Sequence, residues 1–184
     1  MLNGTSARRI GPANSPVTWA RSAIHHFWSI PNRIDGDELL DETGHDPAEL
    51  AASLRDVRRI NQLFGGLSTI RTQLPGLLAL TSPDRPVTIL DLATGSADIP
   101  INVVRWARQQ GRSVDIIASD FSADILAIAT RRVAAYPNIH VLQCDAREVP
   151  FPDASFDIVL CSLALHHFPP PDAVRVLAEM DRLS

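Results

Sequence analysis

Val87-Thr-Ile-Leu-Asp-Leu-Ala-Thr-Gly-Ser-Ala-Asp-Ile-Pro100 changes its periodicity midway. It begins as a strand. Val87, Ile89 and Leu90 form a short apolar run after the breaker Pro86, a pattern suited to burial on both faces of a parallel sheet. It ends as a helix start, with Asp98 placed to cap free N–H groups and Pro100 in a first turn where no donor is needed. The turn between them, Ala93 to Ala97, holds only small side chains, so a ligand can lie against its backbone. Asp91 stands at the carboxyl end of the strand, the side on which open parallel sheets bind ligands.

Downstream the pattern alternates. A helix is expected from about Ile99 to Gln110, stopped by Gly111, then a strand from Val114 to Ser119 ending at Asp120-Phe121. Ser122 caps a second helix, closed by Tyr136-Pro-Asn138. A strand from Ile139 to Gln143 runs into Cys144-Asp145-Ala146, and another from Phe156 to Ser162 runs into Leu163-Ala-Leu-His-His-Phe168. After Pro169-Pro-Pro171 a last helix is expected near Asp172. Strand–helix alternation predicts an α/β fold: a doubly wound, mainly parallel sheet with helices on both faces.

Asp91, Asp120 and Asp145 each follow the carboxyl end of a successive strand, so the topology sets them along one rim. Asp120 lies 23 residues after Ala97, near the interval of about 20 at which an acid meets a ribose hydroxyl. A lone Asp at a strand end is more often a turn or cap residue. Three at matching places, with an acid preceding a one-glycine turn, disfavour a phosphate ligand and so a NAD-dependent oxidoreductase, the weaker alternative.

These segments together resemble the class I S-adenosylmethionine-dependent methyltransferases over about residues 87 to 180. The first matches their motif I, an acid followed by three alternate glycines, here Asp91 with Ala93, Gly95 and Ala97. Alanine at the first position and Gly-x-Ala-Asp after it look like the ubiquinone/menaquinone-biosynthesis branch. The resemblance implies a Rossmann-like domain and S-adenosylmethionine as cofactor. It places Ala93, Thr94, Gly95 and Ser96 around the methionine moiety, Asp91 as an anchor behind them, Asp120 on the ribose and Phe121 against adenine. Asp145 and Ala146 take the adenine edge, and Leu163 faces the sulfonium. The ribose diol, adenine amine, α-ammonium group and sulfonium of that cofactor are donors or cations, for which carboxylates are acceptor-only partners. The acceptor it implies is a small molecule methylated on oxygen or carbon, quinone-like, phenolic or polyketide. His166 and His167, at the same rim, are the candidate bases.

The family sheet has seven strands, whereas four are expected here. A methyltransferase-like fragment that binds cofactor or a partner without catalysis is therefore a second class of function. A bare sheet edge also suggests a homo-oligomer or a partner covering it. Upstream, residues 1–80 read as an N-terminal arm and helical cap, ahead of a cofactor-binding domain over 81–184. Trp19, Ile24, Phe27 and Trp28 form one apolar face, with His25 and His26 beside it, as a lid or pocket wall. Asp46-Pro-Ala-Glu49 starts a helix whose Leu50, Leu54, Val57, Ile60 and Phe64 share a face, ended by Gly65-Gly66. A helical piece from about Ser68 to Leu80 is expected to break at Pro75-Gly76.

With 17 basic and 21 acidic residues in 184, net charge −4, the chain carries no electrostatic signature of a nucleic-acid binder. No apolar run reaches the ~20 residues needed to span a bilayer, and the N-terminus shows no signal peptide. Cys144 and Cys161 lack disulfide or zinc spacing, so no metal is expected and they read as small core residues of a reduced, cytoplasmic protein.

Overall fold

The computed structural model describes residues 46–63 and 66–184. The aromatic segment at Trp19–Ile30, with His25 and His26, lies outside them, as do Phe64 and Gly65. The described elements are α1 (Pro47–Leu63), α2 (Gly66–Ala79), β1 (Val87–Leu92), α3 (Asp98–Gln109) and β2 (Val114–Asp120). They continue with α4 (Ala123–Val133), β3 (Ile139–Gln143), β4 (Ile158–Cys161), a 3-10 turn (Leu165–His167) and α5 (Pro170–Leu183). The four strands form one sheet in the order β3-β2-β1-β4. Every pairing is parallel, with Asp91 opposite Ala118 on one side and Leu160 on the other.

Alternation along β1 builds both faces of the core. Val87 and Ile89 pack with residues of α2, α3 and α4, while Leu90 and Leu92 pack with Val176 and Leu183 of α5. All four β1 side chains are fully buried, and burial of each is worth about 2 kcal/mol. Leu67, Leu74 and Leu78 of α2 join the first of these clusters, so packing crosses the boundary expected at residue 80. A smaller cluster joins Leu50 and Leu54 of α1 to Ile125 of α4.

Several boundaries depart from expectation for identifiable reasons. α2 runs through Pro75 unbroken. Proline removes one ladder bond, but buried Leu74 and Leu78 on either side of it hold the helix to the core. β4 starts two residues late, because the Phe156 N–H donates to the Leu183 carbonyl (3.0 Å) rather than to the sheet. The Asp157 carboxylate meanwhile accepts from the N–H and hydroxyl of Thr88 (both 2.9 Å) and from both terminal nitrogens of Arg85. Arg85 thereby holds the Asp157 carboxyl well below the usual carboxylate range. α5 begins at Pro170, since proline suits the first turn. Asp46 and Ser122 act as expected at helix starts, accepting from the N–H groups of Ala48 (2.7 Å) and Ile125 (3.4 Å).

Candidate cofactor site

The turn after β1 is left-handed at three alternate residues: Ala93 (φ 53°), Gly95 (φ 57°) and Ala97 (φ 59°). These are the three motif I glycine positions. The backbone of that motif is therefore kept even where the side chain is alanine, at a strain of about 1 kcal/mol per alanine. Ala97 itself is the residue before α3, so Asp98 is the helix's first residue rather than its cap. The Asp98 carboxylate is taken by the Ser96 hydroxyl (2.8 Å) and by Arg132 (2.6 Å).

The carboxyl ends of the strands open onto a cavity of about 700 Å³. It is lined by each residue singled out for the cofactor: Asp91, Ala93, Thr94, Gly95, Ser96, Asp120, Phe121, Asp145, Ala146 and Leu163. Asp91 is 1% exposed. Its Oδ2 accepts from the Thr94 hydroxyl (2.6 Å), while Oδ1 is buried with no hydrogen-bond partner. Burial, reinforced by the neighbouring charge of Asp120, pushes the Asp91 carboxyl up to about 7. Asp120 is anchored by backbone, accepting from the N–H groups of Gly95 (3.0 Å) and Ser122 (3.1 Å). Burial pushes its carboxyl up as well.

Asp145 differs. Both its oxygens are engaged by Arg147, which also donates to Asp172 at the start of α5 (2.7 Å). The guanidinium holds Asp145 below the usual carboxylate range. The acid at this end of β3 is therefore not a free acceptor but half of an ion pair on the cavity wall.

On the opposite lip, the loop after β4 carries Leu163 in a left-handed conformation (φ 60°), half exposed. His167 lines the cavity, whereas His166 is exposed and outside the lining. The two rings lie 4.2 Å apart, centroid to centroid. Phe121 stands 67% exposed at the mouth.

Five lining residues that the sequence reading did not assign to the site stand out. Leu54 and Val57 of α1 form a wall; the apolar periodicity marked their face without saying what it meets. Arg147 and Asp172 are joined across 25 residues, a pairing without local signature. Cys144 also lines the cavity, and both cysteines are unbridged and half-buried, packed against the core cluster of Leu90 and Leu92.

A family model described as a methyltransferase domain matches residues 89–184. The chain belongs to the methyltransferase-domain family. This methyltransferase domain is 36% identical over 94 residues to a demethylmenaquinone methyltransferase of Lysinibacillus sphaericus, covering 51% of this chain and 38% of the relative. It is 30% identical to a ubiquinone/menaquinone biosynthesis C-methyltransferase, UbiE, of Rickettsia prowazekii, over 54% of this chain and 44% of the relative. The chain thus spans less than half the length of these curated relatives. A solved S-adenosylmethionine-dependent methyltransferase from Aquifex aeolicus shares the fold, with TM-score 0.54 and 18% identity over 77% of this chain and 68% of that one. The expected α/β architecture and class I resemblance hold, and membership of the methyltransferase domain implies S-adenosylmethionine as cofactor.

The site fits that group. Its lining acids, Asp91, Asp98, Asp120, Asp124, Asp145 and Asp172, outnumber the single lining arginine, Arg147. A cation is favoured there and a pyrophosphate is not. The unpartnered, buried Asp91 Oδ1 is an acceptor in want of a donor. Among the described residues no helix is long and apolar enough to cross a membrane.

Proposed function

We propose that this chain binds S-adenosylmethionine at the β1–β2–β3 rim and serves methyl transfer to a small quinone-like or phenolic acceptor, on carbon or oxygen. The observation that carries the reading is the buried, unpartnered Oδ1 of Asp91, a residue lining a cavity whose acids outnumber its one arginine. In this reading Asp91 and the turn Ala93–Ser96 meet the methionine end, where Asp91 Oδ1 accepts from the ammonium group. Asp120, held by two backbone N–H groups, receives the ribose hydroxyls. Phe121 covers the adenine, with Ala146 and the Asp145–Arg147 pair at its edge. Leu163 excludes water near the sulfonium.

The cofactor supplies an electrophilic methyl group; alignment and a dry pocket do much of the rest. Leu54, Val57, Leu163 and Phe168 give the cavity an apolar wall against which a ring can lie. His167 is the group placed to take a proton from the acceptor. Methylation on carbon is supported by the similarity to the Rickettsia relative, a C-methyltransferase of ubiquinone/menaquinone biosynthesis.

Calorimetric titration of the 184-residue chain with S-adenosylmethionine, followed by a methyl-transfer assay with demethylated quinols, tests this. Binding with turnover is expected. Binding without turnover would replace the enzyme by a cofactor-binding fragment, the reading favoured by a sheet whose β4 pairs only with β1 among the described residues. Binding of NADH in place of S-adenosylmethionine would overturn both.

A further inference from the structure

We infer that Arg132, outside the cavity lining but bonded to two residues that line it, is the positioning residue that holds the motif turn in its cofactor-binding shape. The inference rests on the cofactor reading above and adds to it a residue outside the cavity lining. Arg132 sits in the last turn of α4. Its guanidinium donates to the Ser96 carbonyl (2.6 Å), to the Ser96 hydroxyl and to Asp98 Oδ1 (2.6 Å). The Ser96 hydroxyl in turn donates to Asp98 Oδ2 (2.8 Å). Ser96 and Asp98 are both buried. The residue they flank is Ala97, left-handed at φ 59°.

Glycine adopts that conformation without strain, and alanine does not. A chain with alanine at two of the three left-handed positions must hold its turn with bonds from elsewhere. Arg132 supplies three, all made by one planar fork, and a lysine cannot reproduce that set. The effect extends along the turn. Gly95, adjacent to Ser96, donates its N–H to Asp120 Oδ2 (3.0 Å), so a displaced turn also releases the acid proposed for the ribose. Arg132 further balances the charge of Asp98, a lining acid.

The experiment is calorimetric titration of the full chain with S-adenosylmethionine, run on wild type, Arg132→Gln, Arg132→Lys and Val133→Ala. Val133 is a buried core residue next along the same helix, so its truncation reports the cost of loosened core packing with the Arg132 bonds left in place. Amide hydrogen exchange at Gly95–Ala97 is read in parallel, and thermal melting ranks the variants by stability. Arg132→Gln should weaken cofactor binding by at least about ten-fold and speed exchange in the turn. Arg132→Lys should recover part of the affinity, and Val133→Ala should lower the melting temperature with little change in either turn readout. The inference is overturned if Arg132→Gln binds as wild type does, or loses no more affinity than Val133→Ala at equal loss of stability. Failure of the wild type itself to bind would instead bring down the cofactor reading, and this inference with it.

Discussion

The two lips of the cavity are built on opposite plans. The β1 lip is bonded before any ligand arrives: Thr94 on Asp91, Arg132 on Ser96 and Asp98, Gly95 on Asp120. Its polar side chains are buried, Ser96 at 5% and Asp91 at 1% exposure. The β4 lip presents exposed apolar groups instead, Leu163 above all, with His167 behind. A pre-bonded, acidic lip suits a ligand whose charge and shape do not vary. An exposed apolar lip suits a partner recognised by shape and surface. The difference teaches which substitutions should alter cofactor affinity and which should alter turnover.

The contrast breaks first at His167. His167→Gln should lower kcat by about 10²-fold, as loss of a general base does, with cofactor affinity by calorimetry unchanged. His166→Gln, outside the lining, should leave both as they are. If His167→Gln turns over normally with the same pH profile, the β4 lip only shapes the acceptor.

Asp91→Asn should weaken cofactor binding by about thirty-fold, the worth of one hydrogen bond between charged partners, with a smaller effect on the acceptor KM. The pH dependence follows with a definite sign. Folding raises this carboxyl from an ordinary 3.8 to about 7. The folded state therefore holds the proton more tightly than the unfolded chain, and its stability falls as pH rises from about 4 through 7. Asp91→Asn should flatten that slope in denaturant titrations. Cofactor affinity should run the other way, rising through pH 7 as the carboxylate forms to meet a cation.

Asp157 joins the two strands that carry the lips, but at their amino ends, away from the cavity, where its carboxylate ties β4 to Thr88 of β1. Asp157→Asn should cost about 1.5 kcal/mol in chemical denaturation and leave cofactor affinity at the other end of the strands unchanged. Its folded-state carboxyl lies below the ordinary range, so its contribution is present at neutral pH and is lost as pH falls into the acid range. A loss of cofactor affinity alongside the loss of stability would show that the amino ends of the strands are coupled to the lips. The smallest effect is expected at Ala93. Ala93→Gly should relieve left-handed strain and raise stability by about 0.5 kcal/mol, net of the added chain entropy, read from the denaturation midpoint.

Much of this architecture was legible from local signals. β3 begins and ends where expected, and β1 and β2 lie within a residue or two, because each apolar run is bounded by turn residues. What was not legible depends on partners distant in sequence. Asp98 reads as a cap until Arg132, 34 residues on, claims its carboxylate. Phe156 reads as strand until its N–H is found on Leu183. Asp145 reads as an open acceptor until Arg147 closes on both of its oxygens. The wall formed by Leu54 and Val57 was visible as an apolar face, but a helix sequence does not state its neighbour. The three strand-end acids were found because parallel topology alone brings successive strand ends together.

One arginine shared by two aspartates on separate elements makes this part of the cavity wall responsive to its medium. Arg147 spans from Asp145, after β3, to Asp172, at the start of α5, and all three side chains remain partly open to solvent. Counter-ions screen such partly solvated charges over about 8–10 Å at ordinary ionic strength. Rising salt therefore weakens this strut while leaving the more buried bonds at Ser96 largely untouched.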